Sequence, residues 1–110
     1  MTPAVLHILL SLAAEDRHGL GIAADVKAFT GGRLVLGPGT LYGTIKRLLD
    51  AGLVEDLGSP SAEDSSTRLG AGDPRRRYYR ITSKGRRALE LEAEELTSVL
   101  GVAKRRLKPS

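Results

Sequence analysis

Cysteine and tryptophan are absent from the chain, phenylalanine occurs once, and aromatic residues make up only 4% of it. Without cysteine there is no disulfide to staple a small fold and no thiolate to hold a metal, and the composition is compatible with a reducing compartment. Long apolar runs are missing too. The stretch 1–14 is apolar but too short to span a bilayer, and no other segment approaches the roughly 20 residues that a spanning helix needs. The same stretch has no basic n-region and no small-residue cleavage site, so a soluble, cytoplasmic protein with no membrane partner is expected. Histidine occurs twice. His7 lies inside an apolar run and His18 before a glycine, and neither has an acidic cluster beside it, which suits neither a metal site nor a catalytic base. The 13 glycines form neither G-x-x-x-x-G-K nor a strand-linked G-x-G-x-x-G. The expectation is no cofactor, no metal and no enzymatic activity.

What is present is enough apolar material, 41% of 110 residues, for one compact domain with a modest core. The net charge is +4, which alone says little. Its distribution says more. Between Arg68 and Arg87 stand eight basic residues (Arg68, Arg75, Arg76, Arg77, Arg80, Lys84, Arg86, Arg87) against one acid, Asp73. From Ala88 to Leu100 there are four glutamates and no base. Basic charge gathered in one stretch is the footprint expected of a polyanion binder.

Apolar spacing divides the chain into elements. Val5, Leu6, Leu9, Leu10 and Leu12 predict a first helix from Pro3 to about Glu15, with Thr2 as its cap. Asp16-Arg17-His18-Gly19 breaks it. Ile22, Ala23, Val26 and Phe29 predict a second helix, Leu20 to Thr30, stopped by Gly31-Gly32. After a short extended piece, Leu41, Ile45, Leu48 and Leu49 form one stripe of a third helix from Pro38 to Ala51, closed by Gly52. Leu53 to Leu57 and Arg77 to Thr82 read as two strands of a hairpin. The intervening stretch from Gly58 to Pro74, rich in Gly, Ser, Asp, Pro and Arg, cannot form a core and reads as a flexible loop at 58–74. Thr82 or Ser83 then caps a long last helix, in which Leu89, Ala93, Leu96, Leu100, Ala103 and Leu107 are spaced 4, 3, 4, 3 and 4, a heptad seam.

This order, three helices, a basic hairpin and a long helix, suits a helix-turn-helix reader of double-stranded DNA. The stripe of the third helix packs inward and leaves Tyr42, Gly43, Thr44, Lys46 and Arg47 outside, where Lys and Arg can donate to guanine and Thr can touch a thymine methyl. Pro38, Gly39 and Thr40 open that helix and present backbone donors suited to a phosphate. Arg75, Arg76 and Arg77 at the hairpin base reach the DNA backbone or the adjacent minor groove. A basic helix face taken alone is usually only solvated surface; here helix order, hairpin and charge placement agree.

Three stretches resemble the PadR family of winged-helix regulators. They are Pro38-Gly39-Thr40-Leu41-Tyr42, then Lys46 to Val54 (K-R-L-L-D-A-G-L-V), then Arg77 to Gly85 (R-Y-Y-R-I-T-S-K-G). Val5 to Leu12 followed by His18-Gly19-Leu20-Gly21-Ile22 is similar to that family's first two helices. Leu20 stands where an aromatic is usual, Gly37 where a serine cap is common, and the 58–74 loop is longer than typical.

The resemblance implies an α+β, mostly α fold: a winged helix-turn-helix of three helices and a two-stranded β-hairpin wing over residues 1–82, with a C-terminal dimerisation helix at 83–110. It implies a homodimeric repressor on a palindromic operator. Self-association would run through Leu89, Ala93, Leu96, Leu100, Ala103 and Leu107, with Leu6 of the first helix contributing. A small apolar or phenolic effector near the dimer interface rests on the resemblance alone, since the last helix carries no aromatic wall for one. The competing reading is a winged-helix protein-interaction module or anti-repressor, which the Lys46-Arg47 and Arg75 to Arg77 clusters disfavour because they suit phosphates better than a protein surface.

Overall fold

The computed structural model of the chain describes residues 1–59 and 76–109. Helix α1 spans Pro3–Ala14, with Pro3 in its first turn and the Thr2 hydroxyl accepting the N–H of Val5 at 3.2 Å. The chain then runs extended into a two-residue strand, β1 (Arg17–His18), and directly into α2 (Gly19–Phe29). His18 caps α2: its Nδ1 accepts the Gly21 N–H at 2.8 Å, so the ring is held as the Nε2–H tautomer. Beyond α2, Gly31 and Gly32 take positive φ, and the Thr30 hydroxyl donates to Val26 O while accepting the Leu34 N–H. This staple turns the chain so that Leu36 drops into the core ahead of α3 (Pro38–Asp50).

Strand β2 (Val54–Gly58) and strand β3 (Tyr78–Ile81) pair antiparallel, Val54 facing Ile81 and Glu55 facing Arg80. A register shift falls between Asp56 and Gly58, where Gly58 has φ 78°. The hairpin expected from the sequence is therefore present at its base, and its 58–74 loop lies almost wholly outside the described residues. The sheet, however, has three strands in the order β1-β3-β2, with Arg17 facing Tyr79 and His18 facing Tyr78. In the sequence Arg17-His18 reads only as a helix break. Two residues carry no periodicity, and their partner strand lies far along the chain.

The core gathers Ile8, Leu9 and Leu12 of α1, Ile22 and Val26 of α2, Leu41, Ile45 and Leu48 of α3, and Val54, Tyr79 and Ile81 of the sheet. Each such side chain contributes about 1.5–3 kcal/mol by leaving water. The last helix, α4 (Ser83–Leu107), starts at Thr82, whose hydroxyl accepts the Gly85 N–H and donates to Gly52 O at 2.7 Å. Its first turns are part of the body. Gly85 is buried, and Leu89 is only 8% exposed, packed in its own domain's core. That corrects Leu89 as a dimer-seam residue: the heptad spacing is real, but the body covers its first position. Beyond residue 92 the helix runs away from the body, and the molecule is 66 Å long against 28 and 20 Å across.

Where α4 crosses the sheet, a Cβ on Gly85 would collide with the carbonyl oxygen of Leu53 and lie 2.9 Å from Ile81 Cγ1. Alanine usually stabilises a helix relative to glycine. Here Gly85→Ala should instead lower the melting temperature, by overpacking worth about 1–3 kcal/mol. A differential thermal denaturation scan checks the sign.

Candidate nucleic-acid interface

Helix α3 is held by α1, α2 and β2 together, and that grip decides which of its residues are free. Its inward face takes in Leu41, Ile45 and Leu48, and also Thr44, which is 3% exposed. Tyr42 is half-buried and lies over the start of α2, its Cε1 only 2.5 Å from where a Cβ on Gly19 would stand. The burial of Thr44 corrects its expected contact with a thymine methyl, and Tyr42, expected outside, is partly turned inward. A stripe read from leucine and isoleucine is narrower than the face that a helix wedged between two neighbours actually buries. Tyr42 instead sets how closely α2 and α3 approach, and Gly19 is there because the ring leaves no room for a side chain.

The outward face comprises Pro38, Gly39, Thr40, Gly43, Lys46 and Arg47, all exposed. At Gly39 and Gly43 an added Cβ would meet nothing within 4 Å. Among the described residues nothing packs against either position, so there the face is bare down to the backbone. Lys46 reaches Asp50 at 3.6 Å one turn on, an exposed pair worth about 0.3–0.5 kcal/mol and easily exchanged for another anion. Gly37 caps the helix without a side-chain bond. First-turn N–H groups have no partner within a helix, which leaves those of Gly39 and Thr40 pointing along the open end.

The basic block is less uniform in space than in sequence. Arg75 lies outside the described residues, and Arg76 is exposed. Arg77 donates to Asp56 Oδ2 at 3.1 Å, while Asp56 Oδ1 accepts the Gly58 N–H at 2.7 Å, so one carboxylate organises the wing base. Arg80 forms a two-pronged bond to Asp16, Nε to Oδ1 at 3.2 Å and Nη2 to Oδ2 at 2.8 Å, with Glu55 3.9 Å from its other nitrogen. Lys84 donates to Ala51 O at 2.9 Å and Arg86 to Ala13 O at 3.5 Å, each covering the C-terminal end of a helix, α3 and α1 respectively. Much of the charge that looked like a polyanion footprint therefore ties the body together. That Asp16 and Asp56 pair with Arg80 and Arg77, and that Gly19 lies under Tyr42, gives no signal in the sequence, because an isolated acid or glycine names no distant partner. Among the described residues no cluster of metal-ligating side chains occurs, and no helix is long and apolar enough to cross a membrane.

The hydrogen bonds from Arg80 hold the Asp16 carboxyl below its ordinary value of 3.8, and Asp16 in turn raises Arg80. A lowered acid contributes stability above its unfolded pKa, and the contribution is lost as pH falls through the folded value. Asp16→Asn should therefore be less stable than the parent at neutral pH, with the difference shrinking as the pH falls below about 4. Added salt should narrow it as well, since the pair faces solvent. Melting curves of both proteins from pH 7 to 3 test this.

The profile of the Transcriptional regulator PadR-like family matches residues 5–91, so most of α4 lies beyond the match. Two solved structures similar over nearly the whole chain are a PadR family transcription regulator from Clostridium difficile and a transcriptional regulator from Clostridium thermocellum. The first is 24% identical with a TM-score of 0.74, covering 96% of this chain and 99% of its own. The second is 24% identical with a TM-score of 0.73, covering 96% and 93%. Bacillus subtilis PadR in complex with operator DNA is 21% identical with a TM-score of 0.61, covering 78% of this chain and 44% of its own. At these identities the likeness establishes the fold, a winged helix-turn-helix. No curated protein matches the chain in sequence.

Proposed function

This chain belongs to the PadR-like family of transcriptional regulators, and from that premise we propose that it is a homodimeric repressor that grips a palindromic operator with α3 and the wing. The bare outer face of α3 carries the reading. Gly39 and Gly43 leave the backbone open to close approach, while Thr40, Lys46 and Arg47 beside them supply a hydroxyl and two cations. An α-helix fits the major groove, where Lys46 and Arg47 donate to guanine edges and the first turn of α3 meets a phosphate. Arg76, exposed at the wing base, reaches the sugar-phosphate backbone beside it, with Arg75 next in sequence. Arg77 and Arg80 hold the wing at its angle through Asp56 and Asp16. Bacillus subtilis PadR was solved in complex with operator DNA, which supports the same class of partner for this chain.

Dimerisation through α4 is supported by the apolar residues it leaves in solvent beyond the body, among them Leu96, Val99, Leu100 and Leu107, the last 81% exposed. A small apolar or phenolic effector would act beside that helix. An open depression of about 540 Å³ there is lined by Arg87, Glu90, Leu91, Ala93 and Glu94, and Arg87 offers a cation to a phenolate.

Selection of genomic fragments bound by the purified protein should enrich a palindrome with half-sites about one helical turn apart. Affinity should fall with salt, with a slope of roughly −0.9 per phosphate contact. Salt-insensitive binding to a protein, with no enriched DNA, would overturn the reading in favour of an interaction module. Arg76→Ala should weaken binding to all sequences alike and make the salt slope shallower by about one, whereas Lys46→Ala should change the preference between sequences. Gly43→Ala should do two opposite things. It stabilises the fold by about 1 kcal/mol, because alanine is the better helix former and meets no neighbour, and it weakens operator binding by blocking the close approach.

A further inference from the structure

The turn into α2 touches both elements of the proposed interface. His18 pairs with Tyr78 across β1 and β3, at the base of the wing, and the two rings meet at 79° with centroids 5.3 Å apart. Gly19, the next residue, is buried under Tyr42 of α3. Between these contacts the His18 Nδ1 accepts the Gly21 N–H and caps α2. We infer that this cap is a proton-sensitive latch: acidification to about pH 5.5 protonates His18, opens the start of α2 and releases the wing and α3 from the geometry that holds an operator. The inference rests on the DNA reading and adds a regulation to it.

The chemistry follows from the bond. A neutral imidazole with its proton on Nε2 can accept at Nδ1. An imidazolium has a donor at both nitrogens, so two donors would face each other across the 2.8 Å contact. The new charge would also sit at the N-terminus of α2, where the helix dipole favours anions and opposes cations. Histidine is the side chain whose charge changes between about pH 5 and 8. The stability carried by the cap is therefore complete where the ring is neutral and is lost as the pH falls.

The groups around the ring do little to reverse this. It borders an open depression lined by Glu15, Asp16, Arg17, Gly21 and Tyr78, so the site is open to solvent. Glu15 and Asp25 each stand 3.5 Å from Arg17, and Asp16 is held by Arg80. Every acid that could favour an imidazolium thus already faces a guanidinium, and Arg17 and Arg80 themselves repel the added charge. From β3 the ring meets Tyr78, a contact that depends on its present orientation. Turning away from the Gly21 N–H swings the ring off Tyr78. The start of α2 cannot shift freely either, because a Cβ at Gly19 would already stand 2.5 Å from the Tyr42 ring. Movement at the cap is passed to the wing on one side and to α3 on the other.

His7, the other histidine, serves as a control: its Nδ1 lies 2.6 Å from the Pro3 carbonyl, which accepts from an N–H whether the ring is neutral or charged. Asparagine caps a helix without titrating, so the full-length protein should lose about 4–8 °C more in melting temperature than His18→Asn between pH 7.5 and 5.5. His18→Ala should melt lower at pH 7.5 and follow the pH profile of His18→Asn. The Gly21 amide, followed by heteronuclear NMR, should shift over the same interval in the parent and in His7→Gln. Affinity for the selected operator should fall several-fold further in the parent than in His18→Asn. Equal pH dependence of melting in the parent and His18→Asn overturns the latch, as does a Gly21 amide that does not titrate. A latch that opens while operator affinity stays unmoved overturns the regulation and leaves the DNA reading standing. Absence of operator binding at pH 7.5 removes the DNA reading and the regulation with it, while melting and the Gly21 amide still judge the latch.

Discussion

Helix α3 is wedged between α1 and α2 on one flank and β2 on the other, and nearly every feature of the outer surface depends on that grip. Leu41, Ile45 and Leu48 are almost fully removed from water, and Thr44 goes with them. Once those four are inside, the helical repeat leaves Gly39, Thr40, Gly43, Lys46 and Arg47 facing out, and no rotation of α3 can exchange the two sets without exposing the core. Tyr42 fixes the remaining freedom, because its ring against Gly19 limits how α3 can tilt over α2. For the proposed reading of a groove, a rigidly held helix with a bare, cationic face means that binding orders little that was not already ordered.

Charge in this molecule has two uses, distinguishable only in space. Arg77, Arg80, Lys84 and Arg86 are engaged by Asp56, by Asp16, and by the carbonyl ends of α3 and α1. They fix the wing and the start of α4 relative to the helices. Lys46, Arg47 and Arg76 face solvent. Asp56 and Asp16 hold the base of the hairpin, beside which Arg76 stands exposed. Because the ties of Arg77 and Arg80 are exposed ion pairs, they orient more than they stabilise. The stability resides in the apolar contacts among α1, α2, α3 and the sheet.

Glycine is used in two opposite ways. At Gly85 and Gly19 its missing side chain lets two parts of the same chain come together, α4 onto Leu53 and Tyr42 onto α2. At Gly39 and Gly43 none of the described residues comes within 4 Å of an added Cβ. The same residue type is structural in one place and part of the candidate interface in the other.

Element type and order were legible in one dimension. The helices of Pro3–Ala14, Gly19–Phe29 and Pro38–Asp50, the paired strands and the long last helix lie within a residue or two of where apolar spacing, caps and glycine stops put them. That is because period 3.6, period 2 and the capping residues are local properties of the chain. The heptad of α4 and the four glutamates of its first half were equally plain. Beyond reach was whatever depends on residues distant in sequence meeting in space. β1 exists only because β3 arrives beside it, and Leu89 leaves the seam only because the body covers it. Thr44 turns inward because α3 has neighbours on two flanks. Half the basic block is neutralised by acids and carbonyls that no spacing connects to it. Local periodicity specifies what each segment becomes; which face of it stays free is set by the partners that long-range packing brings, and the candidate interface is defined by what that packing leaves uncovered.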